Sequence, residues 1–229
     1  AKGIENNTLM RMIEVIKESA GLSPDKIVTL SGPSHAEEVA QGLPTTLVAG
    51  GVNRVTCEIV QHVFSSSALR VYMNMDIIGV ELGGSVKNVI ALASGVCDGI
   101  GFGDNTKAAL ITRGIVEITR LGISIGGKAE TFAGLSGIGD LIATCLSQHS
   151  RNRYVGEQIG RGRSLEEVLD EMTMVAEGVK TSRSVKALSE KQFVEMPICD
   201  AIYELLYEGL DPKEAVNRLM TRELGSEEN

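Results

Sequence analysis

The chain has 229 residues, 43% hydrophobic and 23% charged, with a formal net charge of −8. That length and composition suit one or two globular domains with a substantial core, and the acidic balance argues against broad binding to nucleic acid or an anionic membrane. Only 3% of the residues are aromatic and there is no Trp, which argues against a sheet that stacks bases.

Residues 4–20 place Leu9, Met12, Ile13 and Ile16 at amphipathic-helix spacing, and Ser23-Pro24 ends the pattern. Short β-type runs follow at Ile27–Leu30, Thr45–Ala49 and Leu69–Met73, with helical patterns at 35–41 and 54–66 between them. Strand alternating with helix is the signature of βαβ units in a mostly parallel sheet. Three strands make a thin sheet with an open edge. Residues 1–75 therefore read as the back half of a doubly wound domain whose front half is absent.

From Ile77 the pattern is helical to the end, with helices expected at 77–97, 105–122, 128–134, 140–147, 152–160, 164–172, 178–191, 198–208 and 212–222. Two starts are marked by their chemistry. Ser164-Leu-Glu-Glu167 is a capping box, and Asp211-Pro212-Lys-Glu214 puts Asp at the N-cap and Pro in the first turn. The fold class is thus mainly α with a partial α/β part, divided into 1–75 and a helical domain over 76–229. The final GSEEN is expected to fray.

The cysteines at 57, 97, 145 and 199 are far apart and form no Cys-x-x-Cys, and no signal peptide is recognised. They read as reduced, buried thiols of a cytoplasmic protein. The three histidines lack metal-ligand spacing, so no metal is expected. No apolar run reaches the roughly 18 residues of a membrane span, because Lys87 and Asn88 interrupt the best candidate. There is also no G-x-G-x-x-G with an acidic residue about 20 positions on. Gly99, Gly101 and Gly103 alternate in DGIGFGD, but they follow a helical run. The chain, opening with Ala-Lys-Gly, reads as a piece of a longer protein.

Four polar clusters could carry chemistry. Lys87 stands among Gly83, Gly84, Ile90 and Ala91 on its helix. Burial there would lower its proton affinity toward neutrality, whereas a plain reading lets its head snorkel to water. Asn88 projects about 100° around the helix from it, so both could border one cavity. Ser31-Gly32-Pro33-Ser34 lies at a strand-to-helix turn, where α/β folds place ligands, although Ser is also a common N-cap. Gly134–Asp140 is a loop feeding the apolar helix LIATCL. Asp140 is either a first-turn acid or the carboxylate that balances a buried ammonium. Ser150-Arg-Asn-Arg153 offers two guanidiniums, an amide and a hydroxyl, a phosphate-recognition set or a solvated polar loop. Val175-Ala-Glu-Gly178 has no chemistry assignable from its residue types alone.

In order, AKGIE, SGPS, ELGGSVKNVIALASGVCDGIGFGDNTKAALITRG, GLSGIGDLIATC, SRNR and VAEG resemble bacterial-type NAD(P)-dependent glycerol-3-phosphate dehydrogenase, from residue 1 to about 208. The resemblance implies reduction of dihydroxyacetone phosphate to sn-glycerol 3-phosphate with NADH or NADPH, feeding glycerophospholipid synthesis. The implied fold is a Rossmann domain, here lacking its nucleotide-fingerprint half, followed by a helical substrate domain. Family members are commonly homodimers through that domain.

Carried over residue by residue, Lys87 resembles the catalytic lysine and Asp140 the nearby active-site carboxylate. Lys2 looks like the lysine beside nicotinamide and substrate. Gly32 and Ser34 match substrate-contacting positions, as do Ser150, Arg151 and Asn152 at the substrate phosphate. Ala36, Val175 and Glu177 match cofactor-contacting positions, and Arg151 also reaches the cofactor. A 2-hydroxyacid or ketopantoate-type reductase and a non-catalytic helical dimerisation module are the alternatives. Neither nucleic acid nor membrane is an expected partner.

Overall fold

The structure, a computed structural model, describes residues 2–224 and 226–227. The expectation that GSEEN frays falls largely outside them. The first helix, α1 (Met12–Ala20), begins eight residues later than the periodicity suggests. Residues 4–11 instead form a loop closed by the Ile4–Arg11 bridge. Within it the Glu5 carboxylate accepts hydrogen bonds from the Asn7 and Thr8 backbone N–H groups and from the Thr8 hydroxyl. These short polar side chains offer the backbone an alternative to helix, and that alternative prevails.

The sheet contains β1 (Val28–Ser31), β2 (Thr45–Gly51) and β3 (Leu69–Asn74), in the order β1-β2-β3. Between β1 and β2 lies α2 (Ala36–Ala40), and between β2 and β3 lies α3 (Arg54–Phe64). β2 and β3 are parallel, as expected, but β1 runs antiparallel to β2, so the mostly parallel expectation fails there. The reason is length. The five residues of α2 rise only about 7.5 Å, too little to carry the chain back along a strand of some 20 Å. The eleven residues of α3 come close enough to make the crossover.

The helical part is built around α4 (Ile77–Ile100), which Asp76 caps by accepting a hydrogen bond from the Gly79 N–H. Every residue from Gly79 to Cys97 is buried. By length and composition α4 matches a membrane span, contrary to the expectation that Lys87 and Asn88 would interrupt one. Here it is the core helix, wrapped by its neighbours. Those are α5 (Asp104–Ser124), α6 (Ala129–Phe132), α7 (Asp140–Leu146), α8 (Arg151–Gly160), α9 (Leu165–Glu171), α10 (Glu177–Gln192), α11 (Pro197–Tyr207) and α12 (Pro212–Met220). The capping box at Ser164 and the Asp211 cap both form.

The main core gathers Leu82, Val89, Ile118, Leu121, Phe132 and Leu141 around α4. A small second cluster, Ile13, Ile27 and Ile77, joins α1 and the start of β1 to α4. α8 crosses α4 at backbone contact: a Cβ on Gly95 would collide with the Arg153 carbonyl oxygen, and one on Gly156 with that of Leu92. This crossing brings the start of α8, and with it Ser150–Asn152, alongside the middle of α4.

Candidate active site

Lys87 lies in the middle of α4, 5% exposed. Its Nζ is 2.9 Å from Asp140 Oδ1 and donates to Thr144 Oγ1 at 2.6 Å. Asp140 is the first residue of α7, and Thr144 follows one turn later on the same face. The Thr144 hydroxyl donates to the Asp140 carbonyl oxygen at 2.6 Å, which turns its lone pairs toward the ammonium. On the other side of the carboxylate, Lys2 Nζ donates to Asp140 Oδ2 at 2.8 Å. One carboxylate thus serves two ammonium groups. Burial, and then the charge of Lys2, lower the Lys87 ammonium to about 8, while Asp140 partly opposes them. The snorkelling alternative does not hold: this head is buried among partners.

The segment before Asp140 is a π-helical turn, Leu135–Gly139, rather than an open loop. Ser136 and Gly137 are buried, and the missing Cβ of Gly83 lets α4 meet the Ser136 carbonyl. Wide π turns recur at functional sites because they re-aim the following side chain. This one delivers Asp140 to Lys87.

These groups line a cavity of about 400 Å³. Of the residues expected from the sequence, Lys2, Ser34, Ala36, Lys87, Asp140, Ser150, Arg151, Asn152 and Glu177 line it, and so does Asn88. Gly32 does not. It is buried at φ +133 with its α-carbon turned toward the backbone of Thr46 and Leu47, so it shapes the turn that presents Ser34. Val175 does not line the cavity either, being 62% exposed, whereas its neighbour Met174 does.

The phosphate-type wall is the start of α8. The Ser150 Oγ accepts from the Arg153 N–H as N-cap, leaving its own proton to donate. Asn152 accepts from the Gly178 N–H through Oδ1 at 2.8 Å, which fixes the amide and leaves its two N–H donors. Arg151 makes no ion pair among the described residues. The helix N-terminus adds its partial positive charge to this wall. Arg153 points elsewhere: its Nε is 2.6 Å from Asp98 Oδ2, and Asp98 is also paired with Lys107. The expected pair of guanidiniums is therefore a single one.

Thr144, His35, His149 and Met174 are lining residues that the sequence reading did not single out. Thr144 could have been found from its i+4 spacing to Asp140. His35 Nε2 lies 3.3 Å from the Ala143 carbonyl oxygen and ties α2 to α7, a tertiary contact with no local signal. The described residues hold no group of three or more His, Cys, Asp or Glu side chains that could hold a metal.

Residues 76–217 match the family model for the C-terminus of NAD-dependent glycerol-3-phosphate dehydrogenase, and residues 1–57 match that for its N-terminus. Glycerol-3-phosphate dehydrogenase [NAD(P)+] of Chlorobium luteolum is 58% identical over 97% of this chain and 67% of its own length. The enzyme of the same name from Pelodictyon phaeoclathratiforme is 58% identical over 99% of the chain and 68% of its length. The crystal structure of glycerol-3-phosphate dehydrogenase from Coxiella burnetii superposes with a TM-score of 0.92 at 40% identity, covering 96% of this chain and 67% of that one. The chain spans about two thirds of the length of these relatives. It belongs to the NAD-dependent glycerol-3-phosphate dehydrogenase family.

Proposed function

We propose that Lys87 is the proton donor and Asp140 its electrostatic partner in the reduction of dihydroxyacetone phosphate to sn-glycerol 3-phosphate, within a helical substrate domain spanning 76–229. The observation that carries this reading is the Asp140 carboxylate held between Lys87 and Lys2 at the cavity that Ser150–Asn152 also line. Carbonyl reduction develops negative charge on oxygen. An ammonium aimed there stabilises that charge and then delivers the proton, leaving a neutral amine and a new hydroxyl. In the reverse direction the same amine accepts the proton.

Asp140 keeps the ammonium charged despite burial, and Thr144 fixes its direction. Lys2 adds a second positive charge beside the reacting carbonyl. Arg151, the Ser150 hydroxyl and the Asn152 amide would hold the substrate phosphate, with Gly32 and Ser34 shaping the opposite wall. Fixing that remote group orients the reacting carbon.

The nicotinamide of NAD or NADP supplies the hydride when bound. Lys2, Ala36, Arg151 and Glu177, with Val175 on the adjoining loop, would meet its nicotinamide end. The described part of residues 1–75 carries a three-stranded sheet and has no glycine-rich strand-to-helix turn for a pyrophosphate. Cofactor affinity of the isolated chain is therefore expected to be weak. A cytoplasmic homodimer contacting through the helical part completes the proposal.

Calorimetric titration of the isolated chain tests the phosphate wall. Glycerol 3-phosphate should bind and glycerol should not, and Arg151→Ala should weaken the former by about tenfold or more, the scale of a lost charge-assisted pair. Equal binding of the two compounds would reject the assignment. Saturable NADH fluorescence at micromolar concentrations would reject the expected weakness toward cofactor.

A further inference from the structure

A second cavity, about 430 Å³, opens between α5, α11 and α12, away from the residues assigned to the reaction. Its volume falls within the range of small-molecule sites. The walls are apolar, with Leu110 from α5, Pro197 and Ile198 from α11, and Val216, Leu219 and Met220 from α12. Three guanidiniums also line it: Arg113 and Arg120, two turns apart on α5, and Arg222 just beyond α12.

Glu117 lies on α5 between the first two, at spacings that normally give Arg–Glu pairs along a helix. It makes none. Its Oε1 accepts from the Ile198 N–H at 2.8 Å and its Oε2 from the Cys199 N–H at 3.2 Å, so the carboxylate is spent on the start of α11. Burial moreover pushes the carboxyl up to about 7. The acid best placed to neutralise Arg120 is thus turned away and carries reduced charge. Arg113 reaches the carbonyl oxygen of Glu227, and Arg222 is 3.4 Å from the exposed Glu195. Arg120 has no ion pair among the described residues. In a chain of net charge −8, a cationic margin around an apolar hollow is a local departure from the global field.

We propose that this cavity binds a small amphiphilic anion, with a hydrocarbon body against Leu110, Ile198 and Val216 and a phosphate or carboxylate head at the arginines. Apolar walls select the body, and the planar, permanently charged guanidinium forks select the head. The phosphorylated triose has no apolar body and does not fit these walls.

Titration of the intact chain with octyl phosphate, octanoate, octanol and inorganic phosphate tests this by calorimetry. Octyl phosphate and octanoate, two sources of the same anionic chemistry, should each bind saturably at one site. Octanol and inorganic phosphate should each bind about tenfold more weakly or worse, since each lacks one half of the recognition. Arg120→Glu should weaken octyl phosphate binding by at least about tenfold through charge reversal. Ala109→Trp should do so by filling the cavity, and thermal melting of both variants would confirm that they fold. Absence of saturable binding, equal binding of octanol, or affinity untouched by both variants would overturn the proposal. So would sedimentation showing a dimer that Ala109→Trp splits, because the hollow would then be a seat for a second copy.

Discussion

The sheet part and the helical part bury their apolar residues differently. Around α4, Leu82, Val86, Val89 and Ile90 have no exposure, and α5, α7, α8 and α10 close over them. On α3, by contrast, Val55, Ile59, Val63 and Phe64 are all exposed, and so is Tyr72 on β3. The same residue types thus stabilise one region and face solvent in the other. Stability should therefore concentrate in the helical part, which is also where a buried ammonium can be held in place. A rigid apolar surround lowers the proton affinity of Lys87 and fixes it against Asp140. The sheet contributes to the cavity from its edge, through Leu30 and the turn that follows β1.

The contrast can be broken most severely at the α4–α8 crossing. Gly156→Val would drive a branched side chain into the Leu92 carbonyl, where backbone has no room to yield. We expect loss of more than about 4 kcal/mol, or failure to fold, measured by urea denaturation. A variant of near-normal stability would mean that the helices do not cross so closely. Next is Lys87→Ala, assayed in a chain extended to the full length of its relatives, of which this chain spans about two thirds. Turnover should fall by about two orders of magnitude or more, the usual scale for loss of a general acid. Thermal melting of the variant would confirm that it folds, so that the loss is read as chemistry. The smallest effect belongs to α3: Val63→Ser should change stability by no more than about 0.5 kcal/mol. A large loss there would show that the α3 surface is covered in solution.

Helix boundaries from α4 onward were legible because periodicity, caps and glycines agree. The capping box at Ser164 and the Pro after Asp211 mark their helices to within a residue. Where local and tertiary preferences compete, legibility falls. The Glu5–Thr8 turn displaces helix that apolar spacing alone would extend to residue 4. The antiparallel turn of β1 depends on a comparison of helix and strand lengths that a pattern of alternating elements does not contain. At the site, Lys87 stood out as a lone charge in an apolar run, whereas Asp140, at the end of a glycine-rich loop, read equally as a first-turn acid. The division of labour in Ser150–Arg153 was hidden, since only the fold shows that Asp98 takes Arg153 and leaves Arg151 to the cavity.

The proton affinity of Lys87 sets the expected pH behaviour. Its value near 8 lies below the ordinary 10.5, so between those limits the unfolded chain binds a proton that the folded chain has released. This group's contribution to stability therefore rises with pH across that window and is at its most unfavourable below it. With Lys87 as the proposed proton donor, carbonyl reduction should decline above about 8, where the amine forms, and the reverse reaction should decline below it, where the ammonium persists. The most direct measurement is a pH titration of the intact chain labelled at the lysine ε-carbon, followed by NMR, with Lys87→Ala identifying the resonance. One lysine is expected to titrate near 8 and to move back toward its ordinary value when Lys2 is replaced by Met. With the Lys2 charge gone, its midpoint should move upward. A Lys87 midpoint at or above the ordinary value, indifferent to Lys2, would contradict it.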